Sequence, residues 1–223
     1  MSSANSKVIK THSAPRYTLG EEIFNSVSHG VGAVFAIVAT VLVIIQAAIH
    51  GDAFTVVSSA IYGATLIILY TMSTLYHALT SPGAKKVFRV FDHCSIYLLI
   101  AGTYTPITLA VFRNAIGWVI FGVVWGAAII GIVLNSISLN KFKVFSYILY
   151  ILMGWAVVAA FPTLLSVVPF PGIVLLVSGG IMYTAGMTFY ALKKIKFMHS
   201  IWHLFVLSGS VLHFIMIMMY AMQ

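Results

Sequence analysis

Seven apolar stretches, each near the roughly 20 residues a helix needs to cross a bilayer, fill almost the whole chain after its first twenty residues. They run at about 23–49, 54–79, 91–112, 115–137, 144–165, 172–192 and 197–220. Turn and charge signals separate them: His50-Gly51-Asp52, Ser81-Pro82-Gly83, Arg113-Asn114, Asn140-Lys141, the Pro162 to Pro171 stretch, and the lysines from Lys193. Charged residues make up 7% of the chain, against about 25% in a soluble domain, so a water-facing surface cannot be built. The expected fold is all-α and integral to the membrane: a seven-helix transmembrane bundle over 21–223, preceded by a polar arm at 1–20. A formal charge of +8, taken alone, is compatible with nucleic-acid binding. The basic residues fall in short loops instead of a stripe, which is the mark of membrane topology, and no nucleic-acid partner is expected. The lone Cys94 rules out an intrachain disulfide. The first apolar run is too long for the core of a cleavable signal.

Lys and Arg near the span ends set orientation. Eleven of the twelve lie in the arm (with Lys7, Lys10 and Arg16) and in the loops at 80–90, 138–143 and 193–196; Arg113 alone lies on the other side. This predicts a cytoplasmic amino terminus and, after seven spans, a carboxyl terminus outside. Pro106 with Gly102, and Gly179-Gly180, permit kinks or close helix approach.

The ionisable residues inside the spans are the informative ones, because each costs several kcal/mol in lipid unless it faces the bundle interior. With this topology they gather at one depth. His77 ends the second span, Asp92 opens the third, His199 and His203 open the seventh, and Glu22, Asn25 and His29 begin the first. His199 and His203 are four apart, one above the other on a helix face, a spacing that lets two imidazoles converge on one ion. Three neutral imidazoles suit Zn²⁺, and three protein ligands plus water is the arrangement of a catalytic zinc. Asp92 is then either the group that holds the water and accepts its proton or a fourth direct ligand. Ser73, four residues before His77, can support the site from behind. Glu22, Asn25 and His29 read as a polar cluster beneath it.

Plain alternatives exist for each residue taken singly. His77 can reach headgroups, Asp92 can cap its helix or pair with Arg89, and Glu22 can complement the positive start of the first helix. His93 points about 100° away from Asp92 and reads as interfacial; His213 reads as packing. It is the coincidence of three histidines and a carboxylate at one depth that favours a metal.

Three motifs resemble those of the hemolysin III family, the bacterial branch of the progestin and adipoQ receptor superfamily. They are Glu21-Glu22-Ile23-Phe24-Asn25-Ser26-Val27-Ser28-His29; Ser73-Thr74-Leu75-Tyr76-His77 with Phe91-Asp92-His93; and His199-Ser200-Ile201-Trp202-His203. The resemblance implies seven helices, a cytoplasmic amino terminus, and zinc held by His77, His199 and His203, with a water linking it to Asp92 and Ser73 nearby. Relatives include lipid-amide hydrolases and receptors, and bacterial members are associated with cytolysis or with membrane lipid homeostasis. The leading functional expectation is a zinc-dependent hydrolase of a lipid amide or ester in the cell membrane. A zinc-stapled sensor of membrane lipid or fatty acid is the alternative. A cytolytic pore is a third, weakened by the absence of a charged lumen-facing stripe.

Overall fold

The computed structural model describes residues 17–192 and 194–221. The first sixteen residues of the arm, with Lys7, Lys10, His12 and Arg16, and Lys193 of the lysine run lie outside them. Helix α1 (Leu19–His50) is followed by α2 (Ala53–Ala78) and α3 (Pro82–Pro106), which runs on as a π-helical segment to Phe112. Helix α4 (Ala115–Ser138) follows. The fifth span is broken into α5 (Lys143–Gly154), a 3₁₀ turn (Ala156–Ala160) and α6 (Phe161–Val167), and α7 (Phe170–Ala191) and α8 (Met198–Tyr220) complete the chain. Seven helical spans are long and apolar enough to cross a membrane, and there is no strand among the described residues. This is a multi-pass membrane protein.

Local chemistry sets the boundaries. Thr18 caps α1 in a reciprocal box: its hydroxyl accepts from the Glu21 amide, and the Glu21 carboxylate accepts from the Thr18 amide, satisfying two otherwise orphaned donors. Asp52 caps α2 through the Thr55 amide at 3.0 Å, and Asn114 caps α4 through the Gly117 amide at 2.9 Å. The third span starts nine residues before the expected 91, because Pro82 is well placed in a first helical turn and the segment to Arg89 is helical although charged. Charge marks where a helix leaves lipid; it does not end the helix. Pro162 likewise opens α6, so the connection at this end shrinks to Val168 and Pro169.

Consecutive helices pack as neighbours, and α8 closes the bundle against both α7 and α1. Valines and isoleucines on the outer face of α1, such as Val34, Ile37, Val38 and Val41, stay exposed to lipid, while the interior holds Tyr62, Tyr70, Tyr97, Leu66 and Met216. Small residues permit close approach: a Cβ on Gly102 would meet the Thr65 side chain, and one on Gly179 would meet the His213 ring. The break at Trp155 leaves backbone groups that lipid cannot satisfy. Tyr104 satisfies two of them, donating its Oη proton to the Gly154 carbonyl and accepting from the Val157 amide, each at 2.9 Å. Beside this break lies an apolar cavity of about 330 Å³, lined among others by Thr103, Tyr104, Trp155, Leu176 and His213. A smaller adjoining space extends it to Trp202 and Val206 of α8.

Candidate metal centre

Glu21 does more than cap α1. Its second carboxylate oxygen accepts from the Phe197 amide at 2.8 Å, and Phe197 sits in the left-handed region at φ 62°. This bond pins the turn before α8 to the start of α1. His199 and His203, in the first two turns of α8, are thereby brought against α1 and face His77, the second-last residue of α2. His77 Nε2 lies 3.3 Å from His199 Nε2, and His203 Nε2 lies 3.1 Å from the same atom. One ligand nitrogen from each of the three rings falls within 4.8 Å of the others. Two nitrogens bound to one tetrahedral ion at about 2.0–2.1 Å stand about 3.3–3.4 Å apart, close to both observed separations. The three histidines can hold a metal ion.

Outer contacts fix which nitrogen each ring presents. His77 Nδ1 is 2.7 Å from Glu22 Oε2, and a carboxylate only accepts, so the proton is on Nδ1 and the Nε2 lone pair is free. Asn25 Nδ2 is also near His77 Nδ1, but at 3.5 Å it does not compete. Ser28 works by a similar logic. Its hydroxyl donates to the Asn25 carbonyl at 3.1 Å, so toward His203 Nδ1 at 3.3 Å it can only accept, which again leaves Nε2 as the ligand atom. Ser200 donates to Asn25 Oδ1 at 2.6 Å. Lys85 pairs with the other Glu22 oxygen at 2.7 Å and donates to the Tyr76 carbonyl at 3.1 Å, capping α2 from outside.

Aromatic rings cover the remaining sides. His29 stacks on His203 with centroids 3.5 Å apart, and Tyr17 stacks on His199 at 4.9 Å. Burial, reinforced by the Asp92 and Glu22 carboxylates, pushes the Tyr17 phenol well above its ordinary range and keeps it neutral. Both ring nitrogens of His29, and Ser73 Oγ one turn before His77, are buried with no protein hydrogen-bond partner among the described residues. Buried polar groups so placed take up water or a ligand.

The polar groups of the first span are therefore not a separate cluster below the site: Glu22 and Asn25 meet His77, and His29 meets His203. Asp92 lies outside the convergent set of ligand atoms; its Oδ2 is 3.5 Å from His93 Nδ1, and no ion pair joins it to Arg89 among the described residues. His93 is not simply interfacial, because its Nδ1 is 2.9 Å from the Arg89 carbonyl and its Nε2 is 3.2 Å from Tyr190 Oη. Ser28, Lys85, Ser200 and Tyr17 were missed from sequence. Ser28 alone carried a signal, one turn after Asn25 inside the first motif.

The model of the family described as "Haemolysin-III related" matches residues 17–214. The chain belongs to that family. It is 41% identical to "Hemolysin-3" of Bacillus cereus over 202 residues, covering 91% of this chain and 92% of that protein. Identity to the "Hemolysin-3 homolog" of Bacillus subtilis is 40% over 207 residues, covering 93% and 97%. A more distant likeness, 28% over 226 residues, covering 94% of this chain and 90% of the relative, links it to the human "Monocyte to macrophage differentiation factor". The match to the haemolysin-III model begins at Tyr17, the ring stacked on His199, and takes in the three histidines and their outer partners.

Proposed function

We propose that this haemolysin-III relative is a membrane-embedded, zinc-dependent hydrolase of a lipid amide or ester, serving membrane lipid homeostasis in the cell membrane. The observation that carries the reading is the convergence of three Nε2 atoms, with the Nδ1 atoms of His77 and His203 tied to Glu22 and Ser28. A bound Zn²⁺ supplies Lewis acidity and a water of lowered pKa. The chain's residues do the rest. His77, His199 and His203 hold the ion, and Glu22 and Ser28 keep the rings aimed. Asp92, one of the carboxylates that raise the Tyr17 phenol, would take a proton from a water held at the site and return it to the departing amine or alcohol. The orphaned Ser73 hydroxyl holds that water or the substrate carbonyl.

The apolar cavity beside Trp155 reaches Trp202, next to His203, which suits an acyl chain lying between helices with its linkage at the triad. With the amino terminus cytoplasmic, the substrate enters from the inner leaflet. The test is metal content and turnover of detergent-purified protein on lipid amides and esters. Stoichiometric zinc that disappears in the His199→Ala/His203→Ala variant, with turnover lost in Asp92→Asn at unchanged folding, is the expected result. Zinc-loaded protein that cleaves no such lipid would refute the hydrolase.

One observation favours a second reading. The triad ties α2 to α8, and its outer partners add α1, so a bound ion is also a staple across three helices. In that reading the protein senses a lipid or fatty acid, removal of zinc lowers thermal stability, and Asp92→Asn leaves lipid binding intact.

A further inference from the structure

Apart from the histidine triad, the described residues form a second polar concavity at the same end of the bundle, between α3, the α4–α5 connection and α7. Arg89, His93, Asn135, Lys143, Tyr147 and Tyr190 are on its wall. Two of these are cations and none is a carboxylate. Ser146 Oγ lies between the Asn135 side-chain amide, at 2.8 Å, and the Phe142 carbonyl, at 2.9 Å. Lys143 Nζ lies over the Tyr147 ring, 5.7 Å from its centroid.

The position of Arg89 is the telling one. Its Nε is buried and has no hydrogen-bond partner among the described residues, although a guanidinium donor left bare is costly. Asp92, three residues on, is not within ion-pair distance. The residue is half-buried, and its Nε is shielded from water. A donor-lined wall with two unneutralised cations calls for an anion with several oxygens. Basic pockets between spanning helices at the Lys/Arg-rich side are where lipid phosphates are held, and the planar guanidinium fork matches phosphate geometry. The enclosed space is small, about 20 Å³, so it takes phosphate oxygens at its mouth and excludes a sugar or choline group from its interior.

We propose that Arg89 and Lys143 form a binding site for a phosphate ester group, distinct from the histidine triad. Its source is either the phosphate of an anionic phospholipid in the adjoining leaflet or a soluble phosphate. The site does not depend on the hydrolase reading, since zinc content and phosphate binding are separate readouts.

The test is native mass spectrometry of the full chain in detergent, titrated separately with phosphatidylglycerol, phosphatidylcholine and inorganic phosphate. Wild type is expected to retain phosphatidylglycerol over phosphatidylcholine. Retention should fall about tenfold in Arg89→Gln and in Lys143→Gln, the loss of one charge-assisted contact each, with zinc content unchanged. Lys143 is exposed at the start of α5, so its variant keeps the test valid should Arg89→Gln fail to fold. Lys141→Gln, a nearby exposed cation outside the pocket, should bind as wild type. Arg89-dependent binding of inorganic phosphate stronger than that of the lipid would support the site and name a soluble ligand. Equal losses in Lys141→Gln and Lys143→Gln would overturn the proposal, leaving only a diffuse basic rim, as would undiminished binding in Lys143→Gln.

Discussion

Replacing Glu22 by Gln tests the assignment of ligand atoms most directly. The carboxylate touches His77 Nδ1 and Lys85 Nζ, both at 2.7 Å. Gln keeps a carbonyl oxygen of similar reach, so the ring can stay in place. What disappears is the negative charge that makes the imidazole a stronger donor to a metal and neutralises Lys85, whose side chain is 21% exposed. Loss of such an outer partner costs about 10–100-fold in metal affinity, or about 1.4–2.7 kcal/mol. The upper half of that range is expected here, because the Gln amide now faces the Lys85 ammonium donor to donor. Glu22→Ala should do worse, since Nδ1 then has only the long Asn25 contact and the ring loses its tautomer preference. The assay is zinc affinity by chelator competition on detergent-purified protein. Lys85→Gln, which leaves the carboxylate on His77, should fall well short of Glu22→Gln. Zinc affinity within twofold of wild type in Glu22→Gln would refute the reasoning: His77 would not be binding through Nε2 with its Nδ1 proton held by that carboxylate.

Single substitution of His77, His199 or His203 by Ala should each remove stoichiometric zinc, and chelation should lower the melting temperature of wild type but not of these variants, as mass action requires. At the other end of the bundle, Arg113 donates to both Asp52 oxygens at 2.7 and 2.8 Å and to Thr55 Oγ1 at 2.9 Å. The Arg113 guanidinium holds the Asp52 carboxyl well below the ordinary carboxylate range. Because the folded value is depressed, this contribution is fully present above the ordinary pKa, 3.8, and is lost as pH falls below it toward the folded value. Arg113→Ala should therefore lower the melting temperature slightly at neutral pH, less so in high salt, with the difference from wild type closing in acid. A difference that persists at low pH would assign the effect to helix capping instead. Gly179→Ala places a methyl against the His213 ring, whose Nε2 bonds the Leu176 carbonyl at 3.0 Å; such overpacking costs about 1–3 kcal/mol, read as a lower melting temperature with zinc content unchanged.

The residues legible in sequence share one property: their geometry is settled within one helix. The four-residue spacing of His199 and His203, and of Ser73 and His77, needs no neighbour to be read, and the depth of each pair follows from the nearest lysines. The apolar lengths likewise give the seven spans, because lipid permits little besides helix. Partners across helices are of another kind. Whether Glu22 meets His77 or lies beneath it depends on how α1 rotates and slides against α2, and that is set by packing along the whole contact and by the Glu21 bond to the Phe197 amide. A one-residue rotation of α1, about 100°, would carry Glu22, Asn25 and His29 off the site together, since they share a face. Their joint arrival is therefore one geometric event. The same reasoning explains why the sequence leaves Asp92 open between a fourth ligand and a water-holding base. Depth is a single coordinate, and α3 can match the triad in depth while the facing direction of Asp92 is fixed by contacts the sequence does not display. The break at Trp155 was illegible for a related reason: the groups that make it tolerable belong to Tyr104, some fifty residues earlier and on another span.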